Sequence, residues 1–143
     1  MSRILVVEDE KNLRCLYKLE LERDGHEVVL AADGTDALRV LDEAPPDLVI
    51  MDIWMPGMDG IEAMGRMLSR IPKLPIILYS ACSSYKDSFL TWAADAYLVK
   101  SSDLSELRRT IREILPPRPT PAHARWARSP FRRFHRHARP NDS

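Results

Sequence analysis

A chain of 143 residues with 45% apolar side chains can bury one real core, and it is too apolar to be intrinsically disordered throughout. Its formal net charge is zero, yet residues 116–143 hold seven Arg against one acid (+6), while the rest holds 14 Lys and Arg against 20 Asp and Glu (−6). No stretch approaches the ~20 apolar residues of a membrane-spanning helix, so the numbers exclude one and describe an acidic domain with a basic tail.

Ile4-Leu5-Val6-Val7 is a short continuous apolar run, the pattern of a strand buried on both faces, and it ends in Glu8-Asp9-Glu10. The run is also too short for a signal peptide. Leu13, Leu16, Tyr17 and Leu21 recur at helical spacing until Gly25 stops the helix. His26 to Leu30 reads as a second strand, Asp33-Gly34 as a turn, and Ala37, Leu38 and Leu41 as a second helix closed by Pro45-Pro46. A third strand runs from about Leu48 to Asp52, and the Pro56-Gly57 turn then reverses the chain. Ile61, Met64, Leu68 and Ile71 give a third helix; Pro75 to Tyr79, ending at Ser80, a fourth strand. Phe89, Leu90, Trp92 and Ala93 suggest a short fourth helix, and Ala96 to Val99, ending at Lys100, a fifth strand. Asp103 can N-cap a last helix with Glu106 in the capping-box position, Leu104, Leu107, Ile111 and Ile114 as its apolar stripe, and Pro116-Pro117 as its end.

Five strands alternating with five helices predict an α/β fold, a doubly wound, five-stranded parallel sheet with helices on both faces, and short right-handed crossovers allow the flavodoxin-like order 2-1-3-4-5. In that order the topological switch falls between strands 1 and 3. Their tips carry Glu8, Asp9 and Asp52, so three carboxylates meet at the crevice where such sheets bind ligands. Crowded carboxylates resist ionising together, and a hard divalent cation removes the conflict; oxygen ligands with open water positions suit Mg²⁺. Ser80 and Lys100 reach the same edge from strands 4 and 5. A carboxylate with a cation, a lysine and a hydroxyl around it is suited to accept a phosphoryl group, because placement and charge neutralisation are what that transfer needs. The two cysteines, Cys15 and Cys82, fit no metal or redox spacing and read as thiols of a reducing, cytoplasmic compartment.

Residues 2–115 resemble a bacterial two-component response-regulator receiver domain. The resemblance is carried by Ile4-Leu-Val-Val-Glu-Asp-Glu10, Asp52-Ile-Trp-Met-Pro-Gly-Met-Asp-Gly60, Tyr79-Ser80-Ala81 and Ala94-Asp-Ala-Tyr-Leu-Val-Lys100. It implies that Asp52 accepts a phosphoryl group from a sensor histidine kinase or a phosphotransfer protein. It implies Mg²⁺ held directly by Asp9, Asp52 and the backbone carbonyl of Trp54, with Glu8 acting through water. Ser80 would hydrogen-bond a phosphoryl oxygen, Lys100 would pair with another, and Tyr97 would be the switch aromatic that turns inward as Ser80 moves. The chain would then be a signalling module rather than an enzyme, and its changed surface would be read by a downstream protein that the sequence does not name.

The sequence departs from that pattern in two places. Ser101 follows Lys100 where the family usually has Pro, and a cis bond before a non-proline residue costs roughly 3 kcal/mol more than trans, so a trans bond is expected, with a rare strained cis bond as the alternative. The segment from Ser80 to Lys100, including Cys82-Ser83-Ser84-Tyr85, is about two residues shorter than the family norm. An aspartate-nucleophile phosphatase would instead need a second acid two residues after Asp52, where Trp54 stands. The domain is therefore expected over 1–115. The Pro- and Arg-rich residues 116–143 read as a disordered tail. Trp126, Phe131 and Phe134 among its arginines leave open an alternative, a protein that binds nucleic acid or an acidic partner through the tail; a solvated tail is favoured over it.

Overall fold

The structure, a computed structural model, describes residues 2–81 and 92–115 of the chain. Among the described residues nine elements follow one another: β1 (Arg3–Val7), α1 (Lys11–Arg23), β2 (Glu27–Ala31), α2 (Gly34–Glu43), β3 (Leu48–Met51), α3 (Gly60–Arg70), β4 (Ile76–Ser80), β5 (Ala96–Val99) and α4 (Ser105–Ile114). All strand pairs are parallel, as the alternation of patterns predicts, and the order is the expected β2-β1-β3-β4-β5. The predicted helix at 89–93 and the shortened 82–85 stretch lie largely or wholly outside the described residues.

The continuous apolar runs have a simple cause. Successive strand residues point to opposite faces, and helices cover both. Leu5 and Val7, Val49 and Met51, and Ile76 and Leu78 pack with Ala37, Leu38 and Leu41 of α2 and Ala63, Met64 and Met67 of α3. Ile4 and Val6, Leu48 and Ile50, and Ile77 and Tyr79 pack on the other face with Tyr17 and Leu21 of α1 and Leu107 and Ile111 of α4. Full burial of each such Val, Leu, Ile or Met side chain contributes about 1.5–3 kcal/mol relative to exposure, so the central strands are fixed by packing on both sides.

Element ends differ from the sequence reading where local hydrogen bonds compete. The His26 N–H donates to the Leu21 carbonyl at 3.3 Å and so finishes α1; β2 starts one residue later, with the Glu27 N–H on the Ser2 carbonyl at 2.8 Å. Asp33, read as a turn residue, caps α2 by accepting from the Asp36 N–H at 2.8 Å, and Asp59 caps α3 through the Glu62 N–H at 2.8 Å. Asp103 does not occupy the N-cap of α4. It sits one residue earlier, where its Oδ1 accepts from both the N–H (2.9 Å) and the hydroxyl (2.6 Å) of Ser105, and Leu104 takes the cap position. That bond starts the helix late and moves Glu106 out of capping-box register. No peptide bond among the described residues is cis, so Lys100–Ser101 is trans, as expected for a residue other than proline.

Two features aim the sheet edge at one point. The Ser80 carbonyl accepts from the Lys100 N–H at 2.8 Å and fixes the exit of β5 beside that of β4. Gly60, at the start of α3, lies so close to β3 that an added Cβ would stand 2.2 Å from the Asp52 carbonyl oxygen. Only a glycine there lets the loop after Asp52 fold back under α3.

Candidate functional site

The site sits at the C-terminal edge of the sheet, across the switch point between β1 and β3. Met51 is the last residue of β3, so Asp52 emerges at the strand tip, buried, with its N–H on the Val7 carbonyl at 3.2 Å. Glu8 leaves β1 beside it, also buried, while the neighbouring Asp9 is exposed. One carboxylate oxygen from each of Glu8, Asp9 and Asp52 lies within 4.8 Å of the others.

Lys100 answers the negative charge. Its ammonium donates to Glu8 Oε1 at 2.6 Å and to Asp52 Oδ2 at 2.7 Å, with 16% of its side chain exposed. Burial pushes the Glu8 carboxyl above its ordinary range, although the Lys100 ammonium and the Glu10 N–H (3.1 Å from Oε2) oppose that rise. Burial alone would lower the Lys100 pKa, but its hydrogen bonds to Asp52 and Glu8 outweigh desolvation and hold it above the ordinary lysine value. Lys100 is therefore an ammonium at any physiological pH.

Of the remaining predicted residues, Trp54 touches this centre, while Ser80 and Tyr97 are placed by their strands, β4 and β5. The Trp54 N–H donates to Asp52 Oδ1 at 3.2 Å, which brings the Trp54 backbone to the site while the residue as a whole stays 57% exposed. Ser80 is fully buried at the end of β4, next to the Asp52 strand. Tyr97 is half-buried in β5 and packs on the side of the sheet that α2 and α3 cover. Under the site, Tyr17 and Tyr79 meet edge to face, with ring centroids 5.7 Å apart; burial pushes the Tyr17 hydroxyl up to about 12. Tyr79 also exchanges long hydrogen bonds (3.4 Å) with the N–H and carbonyl of Ser101. Arg14 was not singled out by the sequence, yet its guanidinium touches the loop that carries Glu8 and Asp9.

A set of three oxygen donors with a lysine wedged between two of them fits a hard divalent cation. It also fits an incoming anion, because Lys100 can exchange a carboxylate partner for another oxyanion.

Comparison with known proteins agrees with this edge chemistry. The response regulator receiver domain family matches residues 4–112. The transcriptional regulatory protein AfsQ1 of Streptomyces coelicolor is 39% identical over 117 residues, covering 80% of this chain and 52% of that protein. The chain thus spans about half the length of such curated relatives, among them the alkaline phosphatase synthesis regulator PhoP of Bacillus subtilis (33% identical, 48% of its length). Among solved structures, the response regulator TrrA of Thermotoga maritima in complex with Mg²⁺-BeF is 42% identical with a TM-score of 0.77 over 80% of this chain and 99% of that one. The chemotaxis protein CheY4 of Vibrio cholerae is 29% identical with a TM-score of 0.75, over 80% and 98% respectively. With its sheet order, its acidic edge and a family match over three quarters of its length, the chain belongs to the response regulator receiver domain family.

Proposed function

We propose that this chain is a phosphoacceptor switch: Asp52 takes a phosphoryl group from a phosphohistidine of a sensor histidine kinase or a phosphotransfer protein. The observation that carries the reading is the Lys100 ammonium lodged between Glu8 and Asp52, with Asp9 completing a cluster of three carboxylates. The TrrA regulator, similar over almost its whole length, has also been solved in complex with the histidine kinase ThkA, which supports a kinase as the partner here.

In the reaction, one Asp52 carboxylate oxygen forms a bond to phosphorus while the bond from phosphorus to the donor imidazole nitrogen breaks, and the electron pair leaves with that nitrogen. Asp52 Oδ1 is oriented by the Trp54 N–H, and Oδ2 by Lys100. Lys100 would follow the new negative charge and pair with a phosphoryl oxygen. Ser80 would hydrogen-bond another, and its movement would let Tyr97 turn inward and alter the surface that a downstream protein reads. Mg²⁺, when bound, supplies positive charge that neutralises the phosphoryl oxygens. Asp9, Asp52 and the Trp54 carbonyl would hold it directly, with Glu8 adjoining. The chain would therefore assist its own modification without turning over a substrate. Residues 1–115 form the receiver unit in this reading and 116–143 a basic appendage. Among the described residues no helix is long and apolar enough to cross a membrane, in keeping with a cytoplasmic signalling protein.

The test is phosphorylation of the full chain by acetyl phosphate, followed by phosphate-affinity electrophoresis. Mg²⁺-dependent modification that Asp52→Asn abolishes is expected. Modification that persists in Asp52→Asn, or without any divalent cation, would overturn the assignment.

A further inference from the structure

We propose that Arg14 is a positioning residue for the cation-binding loop: its guanidinium grips the backbone of Glu8 and Asp9 so that both carboxylates face the notch they share with Asp52. This rests on the reading of that notch as a divalent-cation site. Arg14 lies in the first turn of α1, and its Nη1 donates to the Glu8 carbonyl at 2.7 Å and to the Asp9 carbonyl at 2.9 Å.

The loop needs such a grip. Beyond Val7 the chain leaves the regular sheet ladder, and Glu8, Asp9 and Glu10 place three negative charges in succession. The Glu8 N–H still reaches the Ala31 carbonyl of β2 at 3.0 Å, and the Glu10 N–H holds Glu8 Oε2 at 3.1 Å. Among the described contacts, only Arg14 takes up the carbonyls of Glu8 and Asp9. Its own N–H donates to the Glu10 carbonyl at 3.0 Å, so Arg14 joins all three acidic residues to the first turn of α1. With their carbonyls drawn toward the helix, Glu8 and Asp9 present carboxylate oxygens within 4.8 Å of Asp52. A charged donor makes each of these bonds stronger than a neutral one would.

Charge alone gives the opposite sign. A guanidinium close to an acidic notch repels a divalent cation, so removing it should tighten cation binding. Removing a positioning residue should weaken binding, and groups that orient metal ligands typically change affinity by about 10- to 100-fold. The two effects can therefore be told apart by direction.

The experiment is a Mg²⁺ titration of the full chain at constant ionic strength, read from the backbone amide shifts of residues beside Asp52. Arg14→Met keeps the aliphatic stem and removes both donors and charge; Arg14→Lys keeps the charge and a shorter donor. About tenfold weaker Mg²⁺ binding is expected for Arg14→Met, with Arg14→Lys between it and wild type, and with well-dispersed spectra and closely similar melting temperatures throughout. Equal or tighter binding by Arg14→Met would overturn the role of Arg14 while leaving the cation site standing. Asp9→Asn serves as the control for the site itself. If wild type and Asp9→Asn both fail to respond to Mg²⁺, the cation site falls, and the role of Arg14 with it.

Discussion

Lys100 is the counter-ion of Glu8 and Asp52, and both of those acids are buried. Replacing it by Met leaves two close carboxylates without their cation. Breaking a fully buried pair costs about 3–5 kcal/mol, and this one is open at its edge, so a loss of roughly 2 kcal/mol is expected for Lys100→Met without divalent cations. Mg²⁺ no longer competes with the ammonium in that variant, so it should bind more tightly and return more stability than it adds to wild type. Urea midpoints with and without Mg²⁺ check both statements; a variant as stable as wild type without Mg²⁺ would contradict the first. Lys100 and Asp52 were legible in the sequence because their residue types stand at strand ends, where the order of strands brings them together. Arg14 was not, because its partners are backbone carbonyls, which every residue has, and no spacing rule marks them. Trp54 was legible as a neighbour of Asp52, but the hydrogen bond from its N–H to Oδ1 depends on the turn and not on the indole.

Glycines on one helix show how an element reports its surroundings. Gly60 and Gly65 both lie in α3, five residues apart. A Cβ on Gly60 would press on the backbone of Asp52 and Ile53, at 2.2 and 2.8 Å, while one on Gly65 would meet nothing within 4 Å. Gly60→Ala must push α3 away from the tip of β3, at a cost of about 2–3 kcal/mol. It should also slow the phosphorylation proposed at Asp52, since the displaced atoms belong to that residue. Gly65→Ala should instead stabilise by roughly 0.5–1 kcal/mol, because alanine loses less conformational freedom in an exposed helical position. Chemical denaturation of the two variants should show opposite signs, and a shared sign would mean the α3–β3 contact is looser than described. The strands were readable because burial on both faces leaves an unbroken apolar run, as in Leu48 to Met51. The ends of strands and helices were less so, because single hydrogen bonds decide them: the His26 N–H goes to α1, and the Asp103 carboxylate goes to Ser105.

At the scale of the whole molecule, the described core closes on itself at the end of α4. Leu107 and Ile111 are buried, and Ile114 and Leu115 still pack against the cluster formed with α1. Arg108 adds a polar tie across the same seam, with its guanidinium on the Glu20 carboxylate and 3.1 Å from Asp24 Oδ2. Among the described residues, α1 and α4 pack on one face of the sheet and α2 and α3 on the other, all before residue 116. A chain ending at Leu115 is expected to melt within about 4 °C of the full chain, a difference under roughly 1 kcal/mol. A chain ending at Arg112 loses the contacts of Ile114 and Leu115, and should lose about 2–3 kcal/mol, or on the order of 10 °C. Charge gives the comparison a second axis, because the −6 of residues 1–115 and the +6 of residues 116–143 attract at low ionic strength. Any advantage of the full chain over the Leu115 chain that is electrostatic should shrink as salt shortens the screening length from about 10 Å at 0.1 M to about 3 Å at 1 M. An advantage well above 1 kcal/mol that survives 1 M salt would mean that residues 116–143 complete the core by packing, and the boundary drawn at Leu115 would be wrong.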